Sequence, residues 1–205
     1  MTMINRRRLL SVGASSAILA VLAPRAGSAQ QLTLEDVFRD PDAPTLGNPN
    51  GDVTVVEFFD YQCPYCKKSH PDVKSVVAED GNVRLVMKDW PVFGDASVFA
   101  AQAVLGANEI GGYERALEVL MATPASLSED DVKRLLTSTG LDLSKIAAAV
   151  RQNDKKISDL LTRNYNQAQA FNFAGTPSFV IGKTAYSGVL SQDQLRDLIK
   201  HARSA

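Results

Sequence analysis

The chain has 205 residues, 45% of them hydrophobic, 22% charged and 7% aromatic, with two cysteines and a formal net charge of −1. That length supports one well-packed domain, or one domain carrying an insertion. The apolar fraction excludes a disordered chain, ordinary Gly and Pro contents exclude collagen-like sequence, and two cysteines are too few for a disulfide-built scaffold. The balanced charge lacks the concentrated basic patch of a nucleic-acid binder, so no nucleic-acid partner is expected.

Arg6, Arg7 and Arg8 precede an uncharged stretch from Leu9 to Ala23, followed by Pro24 and the small residues Ala26, Gly27, Ser28 and Ala29. A positive start, a short apolar run and a small-residue exit form the pattern of a cleavable secretory signal over residues 1–29. The apolar run falls short of the roughly 20 residues a membrane-spanning helix needs. Asn5-Arg6-Arg7-Arg8-Leu9-Leu10 also resembles a twin-arginine export signal, although Asn5 stands where Ser or Thr is usual. Paired arginines occur in ordinary signals too, so both export routes stay open. Export to the periplasm would put the cysteines in an oxidising compartment.

Residues 30–50 form an N-terminal segment, with a short amphipathic piece (Leu32, Leu34, Val37, Phe38) and a turn cluster that runs through Gly47 to Gly51. Val53 to Phe59 is a nearly continuous β-branched and aromatic run, the signature of a strand buried on both faces. Cys63-Pro64-Tyr65-Cys66 follows and opens a helix to about Ala78. Pro64 fits the first helical turn, which puts Cys63 at the N-cap, and Pro71 should kink the helix. Gly81-Asn82 turns the chain into a second strand from Val83 to Lys88.

Helical periodicity then takes over, in segments at 95–107, 113–122, 129–139, 144–152 and 154–173. Ser128 with Asp131 predicts an N-cap and Gly140 a C-terminal stop. A third strand, Ser178 to Ile181, follows Gly175-Thr176-Pro177, and Gly182-Lys183 turns into a fourth at Thr184 to Tyr186. Ser191 and Gln194 form a capping box for a last helix to about Ala202. The order predicts one α/β sheet with an all-helical insertion between its second and third strands.

A Cys-x-x-Cys pair placed after a buried strand and at a helix start reads as a redox motif. Thiolate is the reactive species, and the unpaired N–H groups and dipole at a helix N-terminus stabilise it. Cys63 is therefore expected to be the exposed nucleophile. Cys66, one turn inside, is expected to be the more buried resolving thiol. A structural disulfide is a poor alternative, because so short a loop removes little unfolded-chain entropy. A zinc site would need four ligands, and only His70 and His201 remain as further soft donors; His70 is expected at the surface, and His201, in the last helix, has no better claim to a catalytic role.

Val55 to Cys66, Met87 to Gly94 and Gly175 to Gly182 together resemble the DsbA family of bacterial periplasmic thiol–disulfide oxidoreductases. The resemblance covers about residues 52–203. It implies a thioredoxin fold formed by residues 51–94 and 175–205, with a helical insertion at 95–174. It also implies that Pro177 follows a cis bond and lies against the cysteine pair, where backbone is exposed to an extended substrate. Thr176 would then contact the thiolate and the substrate. Glu57 matches a buried acid beneath the active site that relays a proton to or from Cys66; an exposed edge position is the alternative. The pair Pro64-Tyr65, and Thr176 before the proline, are more similar to isomerase-type relatives than to the strongly oxidising members. Yet residues 30–50 are too few for the separate dimerisation domain such isomerases carry.

These readings predict thiol–disulfide exchange with exported proteins, with Cys63, Cys66 and Glu57 as the catalytic set. Pro64, Tyr65, Thr176 and Pro177 are the substrate-binding set. Tyr65, Trp90 and Pro177 would frame a peptide groove, with Trp90 equally able to sit in the core. Neither metal nor organic cofactor is required, and a membrane redox partner would recycle the pair. Dithiol oxidase is the leading reading and disulfide isomerase or reductase the second. A chaperone-like binding module with an idle Cys pair belongs to a different class.

Overall fold

The computed structural model describes residues 32–124 and 126–204. The expected export signal, residues 1–29, lies outside the described residues.

Thr33 caps a short helix, α1 (Leu34–Phe38), through a capping box with Asp36. A three-residue strand, β1 (Thr45–Gly47), precedes β2 (Val53–Phe59), α2 (Pro64–Asp80) and β3 (Val83–Asp89). Five helices follow: α3 (Asp95–Asn108), α4 (Tyr113–Met121), α5 (Glu129–Ser138), α6 (Leu143–Gln152) and α7 (Asp154–Ala170). The chain closes with β4 (Ser178–Ile181), β5 (Thr184–Ser187) and α8 (Gln192–Ser204). Sheet order is β1-β3-β2-β4-β5. β2 runs parallel to β3 and antiparallel to β4, and β1 is antiparallel to β3. Apart from the edge strand β1, this is the arrangement the sequence resemblance implies: a thioredoxin fold with an all-helical insertion between its second and third core strands.

Side chains alternate across a sheet, so the register sorts them by face. Val55, Phe59, Leu85 and Met87 point to a core that also holds Cys63 and Cys66. That core continues through Val76 of α2 and Leu195 of α8 into Val104, Leu117 and Leu136 of the helical block. Val56, Phe58 and Val86 point the other way, onto Val37 of α1 and Leu160 of α7. The second face also holds Lys88, fully buried, with its ammonium 2.9 Å from Asp40. Arg163 of α7 binds Asp40 at 2.9 Å and Asp42 at 2.7 Å, which ties the N-terminal segment to the sheet and to α7.

Local signals hold where they are chemically specific. Ser128 and Asp131 form the expected capping box on α5, and Gly140 takes a φ of 78° past its end. Gly106 permits close packing of α3 on α6, because a Cβ there would run into Val150.

Pro71 lies inside α2, as expected, and the helix continues past it because its later turns bury Val73, Val76 and Val77. Two readings need correction. β1 lies where no strand was expected, because an edge strand of three residues carries no periodicity and forms by pairing Thr45–Gly47 with Arg84–Val86. His70 is buried rather than at the surface, with Nε2 3.0 Å from a Glu118 oxygen on α4. Among the described residues, no helix is long and apolar enough to cross a membrane.

Candidate active site

Cys63 is the N-cap of α2, with Pro64 beginning the helix, and its sulfur accepts the Cys66 backbone N–H at 3.4 Å. The loop that delivers it is fixed by Asp60. The Asp60 carbonyl accepts from the Cys63 N–H at 3.1 Å. Its buried carboxylate accepts from the N–H of Gln62 (2.7 Å), Val92 (2.6 Å) and Phe93 (3.2 Å), and from the Ser97 hydroxyl (2.7 Å). One acid therefore joins the ends of β2 and β3 to the start of α3. The only sequence signal for it was an Asp placed just after a strand, where its side chain can bond the backbone two residues on.

The Thr176–Pro177 bond is cis. Because β4 runs antiparallel beside β2, with Phe58 opposite Ser178, the segment before β4 returns to the end of β2 where Cys63 stands. The Cys63 thiol donates to the Thr176 carbonyl at 3.2 Å, and Pro177 is buried. This contact corrects the expectation of an exposed nucleophile. Cys63 is only 1% exposed, covered from the side of the Thr176–Pro177 loop, and Cys66 is fully buried.

The two thiols are free, and they are electrostatically opposite. Donation from the Cys66 thiol is the first cause that holds the Cys63 pKa down to about 6. Burial opposes it; the Thr176 side chain and the backbone N–H groups of Cys66 and Tyr65 reinforce it. Burial pushes the Cys66 thiol far up, and its role as donor to Cys63 and the charge of Glu57 push it further. Glu57 lies in the central strand with no exposure and no hydrogen-bond partner for either oxygen. Burial, then the Cys63 charge, lift its pKa to about 8. The edge alternative for Glu57 is ruled out.

Tyr65 is 64% exposed beside the cysteines, as a substrate-contacting side chain requires. Trp90 is 3% exposed and packs edge-on against Phe58, so it belongs to the core and not to a groove. Its neighbours Val92 and Phe93 are exposed instead, at 41% and 53%, in the loop that Asp60 holds. Sequence reading missed them because an apolar residue in a loop looks like one in a core. His201 is exposed and remote in sequence from the pair. Among the described residues, no group of three or more His, Cys, Asp or Glu is arranged to hold a metal ion.

Residues 39–201 match the protein family described as thioredoxin. Among solved structures, a thioredoxin-like oxidoreductase from Silicibacter pomeroyi DSS-3 is 40% identical with a TM-score of 0.81, over 85% of this chain and 99% of that one. A periplasmic thioredoxin-like protein from Salmonella enterica serovar Typhimurium is 26% identical with a TM-score of 0.75, over 86% of this chain and all of that one. Among curated proteins, the Na(+)/H(+) antiporter NhaA 3 of Salinispora tropica is 25% identical over 200 residues. Those residues are 96% of this chain and 28% of the antiporter, so the chain spans less than a third of that relative's length.

Proposed function

The chain belongs to the thioredoxin family, and on that footing we propose that it is a thiol–disulfide oxidoreductase of exported proteins, working as a dithiol oxidase. The observation that carries this reading is the placement of the two thiols, with Cys63 at the N-cap of α2 accepting the Cys66 N–H and Cys66 fully buried, which holds the Cys63 pKa down to about 6 and pushes Cys66 far up. A thiolate stabilised at neutral pH is a good leaving group, and its stability favours the reduced pair, which makes the disulfide oxidising.

A substrate thiolate attacks the Cys63 sulfur of the Cys63–Cys66 disulfide. The bond to Cys66 breaks, and Cys66 leaves with the electron pair and takes a proton from Glu57. A second substrate thiolate attacks the substrate sulfur of the mixed disulfide and expels Cys63 as thiolate. The substrate loses two electrons and the protein pair gains them; a membrane redox partner then reoxidises the pair. Pro64, Tyr65, Thr176 and Pro177 receive the substrate backbone around Cys63. Residues 1–29 direct export to the periplasm.

The equilibrium potential of the Cys63–Cys66 couple tests the direction. A dithiol oxidase lies well above the roughly −220 to −260 mV extraction-based poise of glutathione. A value at or below that poise overturns the oxidase reading. The Cys66→Ala variant should accumulate mixed disulfides with exported proteins, and Cys63→Ala should not. If Cys66→Ala traps nothing, thiol exchange itself is the wrong chemistry. The second reading, isomerase or reductase, draws on Pro64-Tyr65 and Thr176; rapid reactivation of scrambled ribonuclease by the reduced protein would favour it.

A further inference from the structure

Two anchors hold the loop that delivers Cys63. Asp60 fixes it from the sheet side, accepting the N–H of Gln62 at its carboxylate and the N–H of Cys63 at its carbonyl. The second anchor comes from the helical insertion. Gln62, the residue before the nucleophile, turns its side-chain amide onto the main chain of Leu127, 65 residues away in the loop between α4 and α5. Its Oε1 accepts the Leu127 N–H at 2.7 Å, and its Nε2 donates to the Leu127 carbonyl. One planar amide thus pairs with both polar groups of a single residue, as a neighbouring strand would.

The receiving end of this clamp is rigid. Leu127 is 4% exposed and belongs to the core that also holds Cys63, Cys66, Val132 and Leu136. Ser128 follows it as the N-cap of α5, and the capping box with Asp131 fixes where that helix starts. The Cys63 sulfur, by contrast, is held only by the Cys66 N–H at 3.4 Å and the Thr176 carbonyl at 3.2 Å. Sulfur is a weak donor and a weak acceptor, so its place depends on the backbone of residues 60–63. Disulfide exchange needs the attacking, central and leaving sulfurs in line, and a small turn of that backbone is felt in the rate.

We propose that Gln62 is a positioning residue for exchange at Cys63: its amide docks the catalytic loop on the α4–α5 loop and so aims the sulfur. The inference rests on the thiol-exchange reading. It gives the helical insertion a part in the chemistry, because the insertion supplies the Leu127 main chain against which the loop is set.

Rapid mixing of the reduced protein with an aromatic disulfide tests this. The Cys63 thiolate attacks one sulfur of the probe, the probe's S–S bond breaks, and the other sulfur leaves with the electron pair as a coloured thiolate. Gln62→Met keeps nearly the length of glutamine and makes neither bond, so this release should slow about tenfold. In Gln62→Glu a protonated carboxyl donates and accepts as the amide does, whereas a carboxylate only accepts. The charged groups around position 62 are the Cys63 thiolate, the Asp60 carboxylate with Lys67 beside it, and Glu129, Asp130 and Asp131 in the first turn of α5. Relative to the wild-type rate at each pH, Gln62→Glu should lose about tenfold between about pH 4 and pH 7, while Gln62→Met is slow at both.

Rates are taken per folded molecule, with the folded fraction read by circular dichroism. A role in stability alone would lower the urea midpoints and leave these rates unchanged, which overturns the proposal. Faster release from Gln62→Met also overturns it, since that is what uncovering Cys63 would do. So does a slow Gln62→Glu beside a fast Gln62→Met, which is the effect of added charge. Where Gln62→Met does not fold, Gln62→Asn, too short to reach both groups, takes its place under the same criteria. A wild-type protein that reacts no faster than free cysteine overturns the thiol-exchange reading itself, and that comparison involves no variant.

Discussion

At Cys63 burial and hydrogen bonding oppose each other, and hydrogen bonding wins. Loss of water alone would raise a thiol, yet donors from Cys66, Thr176 and the first turn of α2 bring it to about 6. Thr176 meets this sulfur with two opposite effects: its carbonyl accepts from the thiol at 3.2 Å, which favours the protonated form, and its side chain lowers the pKa. Thr176→Val keeps the shape and the carbonyl and removes only the hydroxyl. The Cys63 midpoint, followed by thiolate absorbance in the ultraviolet as pH is varied, should rise by up to about one unit. An unmoved midpoint would assign the whole effect to backbone and Cys66. The spacing of the cysteines was legible in the sequence; the depth of Cys63 was not, because the loop over it arrives from 113 residues away.

Among the elements, the N-terminal segment and α7 are held by charges rather than by apolar packing alone. Asp40 receives Lys88 and Arg163, partners separated from it by 48 and 123 residues in sequence. The hydrogen bonds from these partners hold the Asp40 carboxyl below its ordinary value, although burial pulls the other way as the largest single cause. Asp40→Ala leaves the Lys88 ammonium buried without an acceptor, a loss of about 3–5 kcal/mol. Pairing that change with Lys88→Met should return most of it, since no unpaired charge then remains. Urea midpoints of the two variants at neutral pH make the comparison; equal losses in both would show the pair to be idle. Caps and strands nearby were readable from local sequence, as Ser128 with Asp131 and the run from Val53 show. β1 was not, because its three residues gain their order only by pairing with β3.

For the molecule as a whole, its interior acids set a pH dependence of stability. Glu57 rises from 4.5 to about 8 and Asp89 from 3.8 to about 7 on folding, burial being the first cause for both. Acids with raised folded pKa values contribute stability that is complete below their unfolded values and is lost as pH climbs through 7 to 8. Cys63 runs oppositely: its lowered pKa supports the dithiol form above its unfolded value of 9.0 and that support fades as pH falls through about 6. Glu57→Gln removes one of these costs, so the reduced protein should gain several kcal/mol at pH 8 and little at pH 5. Denaturant unfolding at the two pH values reads this directly. A gain of equal size at both would mean that folding does not raise the Glu57 pKa.

The sequence by itself determined the element order apart from β1, the redox pair at a helix start and the all-helical insertion. These follow from local preferences: β-branched runs, caps, and the spacing of two cysteines across one helical turn. Only the tertiary structure decided which side chains meet. β4 had to pair with β2 before Thr176 could reach Cys63, and the register of β2 with β3 had to form before Glu57 and Asp89 could share a face. Both are non-local contacts, fixed by how strands pair and not by the residues beside them, and the chemistry of this protein is concentrated there.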